Sequence, residues 1–278
     1  MIILDNTIMS VKSKFQELVN FIEDLFLKNH KCICCRKEIP DENKRGICDK
    51  CFNSMELFSG ELCSKCGEMV VAGNARCDSC KEIEYHFDEN RSYAAYGEVS
   101  AIIVKSLKYN GNKYISKYIA NMLLEDKKYF EGVDYITFVP MSKERLKERD
   151  FNQAEEIAKD VSAAINIPVI SVLEKIKENT HQAGLTRKER IKNIANTIAV
   201  KNDESFEIKD KTILVIDDVF TTGSTLSECA KVLKKKGANK VKTLTFAKTR
   251  QNMIKTSWFY PKYIKFRGKK INQNFTFY

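Results

Sequence analysis

Residues 213 to 233 read ILVIDDVFTTGSTLSECAKVL. With Thr212 before it, the β-branched run through Ile213, Val215 and Ile216 has the composition of a strand buried on both faces. From Ser224 onward, Leu226, Cys229 and Leu233 recur at helical spacing. A buried strand, a bend at Gly223 and a helix, in that order, predict a parallel sheet with helical crossovers. In such sheets ligands bind at the carboxyl ends of the strands, which is where Asp217 and Asp218 fall.

Consecutive strand residues point to opposite faces, so the two aspartates do not form a like-facing pair and each needs its own partner. Two carboxylates at the edge of an apolar core are costly unless hydroxyl donors or a cation meet them. The vicinal hydroxyls of a ribose would supply such donors. Directly after them, Thr221, Thr222, Gly223, Ser224 and Thr225 offer side-chain hydroxyls and backbone N–H groups in a turn where glycine can take a positive φ. The helix beginning at Ser224 aims its positive end at the same place, which suits a phosphate. Acids for sugar hydroxyls and a nest for phosphate together read as a 5′-phosphoribosyl site. The plainer alternative is a strand-turn-helix corner in which one Ser or Thr caps the helix, but a cap needs neither four hydroxyls nor two acids. A Walker loop is excluded, because no Gly-Lys-Ser/Thr follows a spaced glycine.

Outward from this stretch, alternation of helices and strands continues in both directions. Helices are expected over EVSAIIVKSLKY (98–109), near 113–125, and through Ala154, Ile157, Ala158, Val161 and Ile165. Strands are expected over VDYITFVP (133–140), IPVISVL (167–173) and KVKTLTFAK (240–248). Further upstream, residues 11–27 place Phe15, Leu18, Val19, Ile22, Leu25 and Phe26 on one face of a helix, expected to pack on the rest of the protein because its polar face mixes acids with lysines. Residues 251–278 hold six basic residues, eight aromatics and no acid, with no clear period. Rings such as Trp258, Tyr260, Tyr263 and Phe266 can stack on bases, or simply pack as an extra strand.

Between the first helix and the α/β region lie nine of the ten cysteines. Cys32 and Cys35, Cys48 and Cys51, Cys63 and Cys66, and Cys77 and Cys80 form four Cys-x-x-Cys knuckles. Each knuckle presents two thiolates to one ion, and two knuckles complete a tetrahedral zinc site. The segment has little apolar sequence and no core of its own, so metal must hold it. Sequential and interleaved pairings both satisfy the spacing. Cys34 is left over and competes in principle with Cys35, His30 is a minor further candidate, and Cys229 reads as a small core residue. Four sulfurs leave no open position, so zinc here is structural.

The chain has 278 residues and a formal net charge of +10, from 47 Lys and Arg against 37 Asp and Glu, which favours polyanionic partners. No apolar stretch is long enough to span a membrane and no secretory signal precedes the cysteines, so the expected compartment is the cytoplasm. There, clustered cysteines mean metal rather than disulfides.

VIDDVFTTGST resembles the ribose-phosphate signature of type I phosphoribosyltransferases. With the four knuckles, the chain resembles the ComF family of competence-associated proteins, in which a double zinc ribbon precedes a phosphoribosyltransferase domain. The resemblance covers about residues 25–250. It extends through LKYNGNKY (107–114), VPMSKERLKERDFNQAEEIA (139–158), NTHQAGLTRKERIKN (179–193) and KGANKVKTLTFAKT (236–249). It implies a double zinc ribbon in 31–82 and a phosphoribosyltransferase-like domain in 90–250, preceded by the amphipathic helix in 1–30 and followed, beyond the resemblance, by the basic aromatic tail in 251–278. It also implies that Asp217 and Asp218 bind the ribose hydroxyls of 5-phosphoribosyl 1-pyrophosphate, or of a related nucleotide, while Thr221 to Thr225 hold its 5′-phosphate. Met141, Ser142 and Lys143 fall at the pyrophosphate turn, with Lys105 and Lys108 adding charge. Thr180, Gln182, Arg187 and Arg190 fall in the mobile loop, and Mg2+ accompanies the pyrophosphate. The implied setting is single-stranded DNA handling in natural transformation, with a competence helicase or ATPase as protein partner. The alternative is an active transferase of nucleotide salvage, for which no acceptor pocket and no catalytic residue is legible. One departure stands out: the family's Arg-Gly-Phe-Asn-Gln is here Arg149-Asp150-Phe151-Asn152-Gln153, with an acid in place of a turn glycine.

Overall fold

A computed structural model describes residues 31–250, except 72, 110–111, 178–193 and 202–205, together with the backbone of 263–266 and 269–272. The helix expected at 11–27, His30, Trp258 and Tyr260, and the loop candidates Thr180, Gln182, Arg187 and Arg190 lie outside these residues.

The expected parallel sheet is present. It comprises β1 (Glu89–Ala95), β2 (Tyr135–Phe138), β5 (Thr212–Phe220) and β6 (Lys240–Lys248), ordered β1-β6-β5-β2 with every neighbouring pair parallel. Strand β5 is thus central, flanked by β6 and β2. The remaining short strands, β3 (Leu173–Lys175) and β4 (Ile198–Val200), form an antiparallel pair apart from the sheet. The stretch expected as one strand over 167–173 is divided. Val169 makes a single parallel bridge to Ile136, and Leu173 already belongs to the antiparallel pair. Pro168 accepts a hydrogen bond from Ile136 N but has no N–H to give, so the ladder against β2 does not grow. Strand β1, by contrast, emerges in a segment where no strand was expected.

Two short helices, α1 (Asp49–Asn53) and α2 (Asp78–Glu82), each begin just after a cysteine, Cys48 and Cys77. The helices α3 (Glu98–Tyr109), α4 (Ile115–Leu123), α6 (Gln153–Ile165) and α7 (Ser224–Lys235) follow the apolar periodicity. A seven-residue helix, α5 (Lys143–Arg149), occupies what read as loop. It ends at Asp150, whose φ of 65° is the left-handed conformation a glycine would take, and which aspartate tolerates better than most residues.

Alternation along β5 divides the core in two. Leu214 and Ile216, with Leu244 and Phe246 of β6, face α3, α4 and α6; Ile213 and Val215, with Val241, face α7 and the β3–β4 pair. The cysteine segment is shared between these faces. Cys32, Ile33, Ile47 and Met55 belong to the first core, and Cys63, Cys66 and Cys80 to the second. A segment with no core of its own therefore borrows both. Beyond the sheet, Tyr263–Phe266 and Lys269–Asn272 form an antiparallel strand pair in the basic tail.

Candidate functional site

At the carboxyl end of β5 the chain turns through Thr221–Gly223 into α7. Gly223 has φ 76°, and a Cβ there would run into the Phe220 ring and stand 2.9 Å from Tyr85 Cε1. Both conformation and space require glycine. Thr222 Oγ1 and Ser224 Oγ are hydrogen-bonded to each other at 2.5 Å, and the Ser224 N–H reaches Thr222 Oγ1 at 3.4 Å. The helix N-terminus has no side-chain cap at its Gly223 N-cap. The positive end of a twelve-residue helix thus opens on a turn rich in hydroxyls, an arrangement suited to an anion. A cavity of about 150 Å3 bounded in part by Tyr85, His86, Ser224 and Ser227 lies beside it.

The two aspartates separate to opposite faces. Asp218 is buried, and its Oδ2 pairs with Lys108 Nζ of α3 at 2.5 Å. Asp217 lies on the face of α7, near Cys229, and accepts the Asp218 backbone N–H at 2.9 Å. Burial of its carboxyl, together with the neighbouring Asp218 charge, pushes its pKa well above the usual carboxylate range. An acid held in this condition favours a ligand that brings donors or a cation.

The other candidates surround this end of the sheet less directly. Met141, Ser142 and Lys143 follow β2, the neighbour of β5. Ser142 is buried and caps α5, its Oγ accepting from Arg145 N at 3.4 Å, whereas Lys143 is exposed. Lys108 is drawn to Asp218 rather than left to face solvent, and Lys105 is exposed. Asn152 donates to Val139 O at 2.9 Å and caps α6 through Ala154 N, which ties the turn after β2 to the helix behind it.

The cysteines fall into two groups paired sequentially: Cys32, Cys35, Cys48 and Cys51, and Cys63, Cys66, Cys77 and Cys80, with the sulfurs of each group within 4.8 Å of one another. Sulfurs about 2.3 Å from a tetrahedral zinc ion stand about 3.8 Å apart. Cys35 and Cys48 Sγ are 3.6 Å apart, as are Cys66 and Cys77 Sγ. A disulfide requires about 2.05 Å. Both groups therefore fit structural zinc, and the interleaved pairing is ruled out. Cys34 is not part of its neighbours' cluster. Its sulfur lies 4.0 Å from Val99 O, and burial, with the charges on Cys32, Cys35 and Cys48, pushes its pKa up to about 12. Cys229 is fully buried in the core.

Two residues that composition did not single out stand between these sites. Tyr85 donates through its hydroxyl to Thr222 O at 2.8 Å, and Lys248, fully buried, donates to Cys66 O at 2.9 Å. The signal for Lys248 was present, since a lysine in the apolar run TLTFAK must find an internal partner.

Fold and site define a class, a phosphoribosyltransferase-type sheet joined to a cysteine-rich metal module. Comparison with known families agrees: residues 23–81 match the double zinc ribbon domain and residues 152–276 the phosphoribosyl transferase domain. Together the two matches set a double zinc ribbon ahead of a phosphoribosyl transferase domain in one chain, the arrangement that the resemblance to the ComF family implied. The chain is 27% identical to Competence protein F of Haemophilus influenzae over 79% of this chain and 97% of that one. With Competence protein ComFC of Streptococcus pneumoniae it shares 26% identity over 73% and 87% of the two chains. A purine phosphoribosyltransferase structure from Pyrococcus horikoshii Ot3 has 20% identity and a TM-score of 0.31, covering 48% of this chain and 73% of that one. The domain match runs to residue 276, so it takes in the tail that the sequence reading placed beyond the resemblance.

Proposed function

We propose that the cleft at the carboxyl edge of the sheet binds 5-phosphoribosyl 1-pyrophosphate or a related nucleotide, and that the protein handles single-stranded DNA in natural transformation. The observation that carries this reading is the convergence of Asp217, Asp218 and the uncapped Gly223 turn on one end of β5. In this reading the turn amides and the hydroxyls of Thr221 to Thr225 hold the 5′-phosphate, and the aspartates accept from the ribose hydroxyls. Mg2+ bound with the pyrophosphate brings the cation that the raised pKa of Asp217 calls for. The turn at Met141, Ser142 and Lys143 lies on the pyrophosphate side, and Lys108 lends its charge after Asp218 changes partner.

The competence names of the relatives and the net charge of +10 support the DNA context, with a cytoplasmic site of action and a competence helicase or ATPase as protein partner. The phosphoribosyl transferase domain match supports a second reading, an active transferase that displaces pyrophosphate from C1 of the ribose. One buffer series tests both. Phosphoribosyl pyrophosphate with Mg2+ should bind the wild-type protein and fail to bind the doubly substituted Asp217→Asn, Asp218→Asn protein; equal binding to both removes the site. A single-stranded oligonucleotide should lose affinity steeply as salt rises, and an affinity independent of salt removes the DNA role. Pyrophosphate released only in the presence of one nucleobase favours the transferase.

A further inference from the structure

The second cysteine cluster and the phosphate turn touch the same few side chains. Tyr85 lies five positions beyond Cys80 in sequence and is buried. Its ring stacks on Phe87 with centroids 4.8 Å apart and meets Phe220 edge-on at 6.1 Å. Its hydroxyl donates to the Thr222 carbonyl, and its edge closes the space beside Gly223. That single hydrogen bond has a directional consequence. In a trans peptide the carbonyl of one residue and the N–H of the next point opposite ways. Holding the Thr222 carbonyl toward Tyr85 therefore aims the Gly223 N–H away from it. An anion nest depends on such alignment of its amides.

A second route runs through Lys248. Its ammonium lies 3.1 Å from Cys66 Sγ, 3.3 Å from Glu68 Oε2 and 4.9 Å above the Phe220 ring, and it has no exposure to solvent. A charge so placed requires anionic neighbours. Four thiolates around one zinc ion retain net negative charge, so the metal-loaded cluster supplies them and the residues present fit the metal. In the sheet, Lys248 pairs with Phe220, and Thr249 N donates to Phe220 O at 2.9 Å. Phe220 is the residue that fills the space behind Gly223. The first cluster packs elsewhere. Cys34 faces Val99 of α3, and the Tyr118 ring of α4 lies against Gly46, on the other side of the sheet.

We propose that Tyr85 is a positioning residue for the Thr221–Thr225 turn and that, together with Lys248, it makes the geometry of that turn depend on metal at the second cysteine cluster and not at the first. The purpose of this link rests on reading the turn as a phosphate site, but its measurement does not. Hydrogen exchange of the full-length, zinc-loaded protein reads the turn directly, in a peptide covering 220–226, with α6 as an internal reference. Tyr85→Phe keeps the ring against Phe87 and Gly223 and removes only the hydroxyl. It should speed exchange in 220–226 about five-fold while leaving α6 and the zinc content unchanged. Cys77→Ser should loosen the same peptide at least as much, and Cys35→Ser should not. Unchanged exchange in Tyr85→Phe overturns the positioning role, and equal loosening by Cys35→Ser and Cys77→Ser overturns the preference for the second cluster. Should Cys77→Ser fail to fold, stepwise chelation of the wild-type protein, followed by the same peptide, decides the second point: 220–226 must loosen as the second cluster, and not the first, gives up its metal. A parallel titration with phosphoribosyl pyrophosphate separates this proposal from the functional one. Wild-type protein that ignores the compound sinks the functional reading alone, whereas binding that is equally tight in wild type and Tyr85→Phe counts against the positioning role.

Discussion

The two zinc ribbons use the same knuckle chemistry and dock on the sheet in opposite ways. The first presents apolar side chains, with Ile33, Ile47 and Met55 joining the core formed by α3, α4 and α6 and Gly46 lying under the Tyr118 ring, while its polar contacts, Arg45 with Glu125 and Asn121 with Lys44 O, are exposed. The second docks through polar groups that are themselves buried. Asn90 Nδ2 donates to Cys66 O at 3.0 Å, Thr243 Oγ1 donates to Asn90 Oδ1 at 2.9 Å, and Ser92 and Thr245 are linked at 2.7 Å. Lys248 completes the set. Apolar docking tolerates small shifts, because dispersion and burial are weakly directional. A buried polar network does not, since each unpaired member costs the full desolvation of that group. The ribbon that borders the candidate ligand turn is the one fixed in orientation.

This contrast can be broken at several levels. Chelation should have the largest effect, because structural zinc contributes about 10–16 kcal/mol in zinc-finger peptides and neither segment has a core of its own. Metal analysis should find one ion per cluster, and removing both should abolish cooperative thermal unfolding of the cysteine region. Lys248→Met comes next. It leaves Glu68 without its ion-pair partner and Cys66 Sγ without the lysine ammonium, and should cost about 3–5 kcal/mol in denaturant unfolding. Ile47→Ala, in the apolar interface, removes methyl groups from a site 1% exposed and should cost about 2–4 kcal/mol. If Lys248→Met proves milder than Ile47→Ala, the second ribbon is not held by its polar network and the contrast fails.

Much of this molecule could be read before its fold was known. The strand ending in two acids, the glycine bend, the helix after it and the four knuckles all rest on local rules: β-branched runs, a residue that accepts positive φ, and thiols spaced for one ion. What stayed hidden depends on contacts between distant segments. Strand β1 opens with four polar residues, Glu89 to Ser92, and of these Asn90 and Ser92 are buried where Thr243 and Thr245 of β6 meet them. Nothing local marks that. The helix at Lys143–Arg149 was hidden by its charge, since KERLKER has one apolar residue, Leu146, and that residue is exposed. Zinc pairing needed space rather than spacing, and Tyr85 looked like any aromatic after a ribbon until its hydroxyl was seen on Thr222.

The smallest expected effect has the opposite sign, and it separates stability from ligand binding on the side of the sheet that the second ribbon shares. Asp217 is held above the ordinary carboxylate range by burial and by Asp218, so the folded protein binds a proton there more tightly than the unfolded chain does. Folding at neutral pH therefore works against this group. Its contribution improves as pH falls from the raised folded value toward the ordinary carboxylate range, and is lost again as pH rises through the folded value. Asp217→Asn keeps the acceptor for the Asp218 N–H and removes the charge. It should raise the melting temperature of the ligand-free protein at neutral pH and flatten that part of the pH profile, while abolishing any binding of phosphoribosyl pyrophosphate with Mg2+. Melting curves at several pH values check the first half and a titration the second. A destabilised Asp217→Asn protein would mean that the acid serves the fold, and its place at the end of β5 would then say nothing about a ligand.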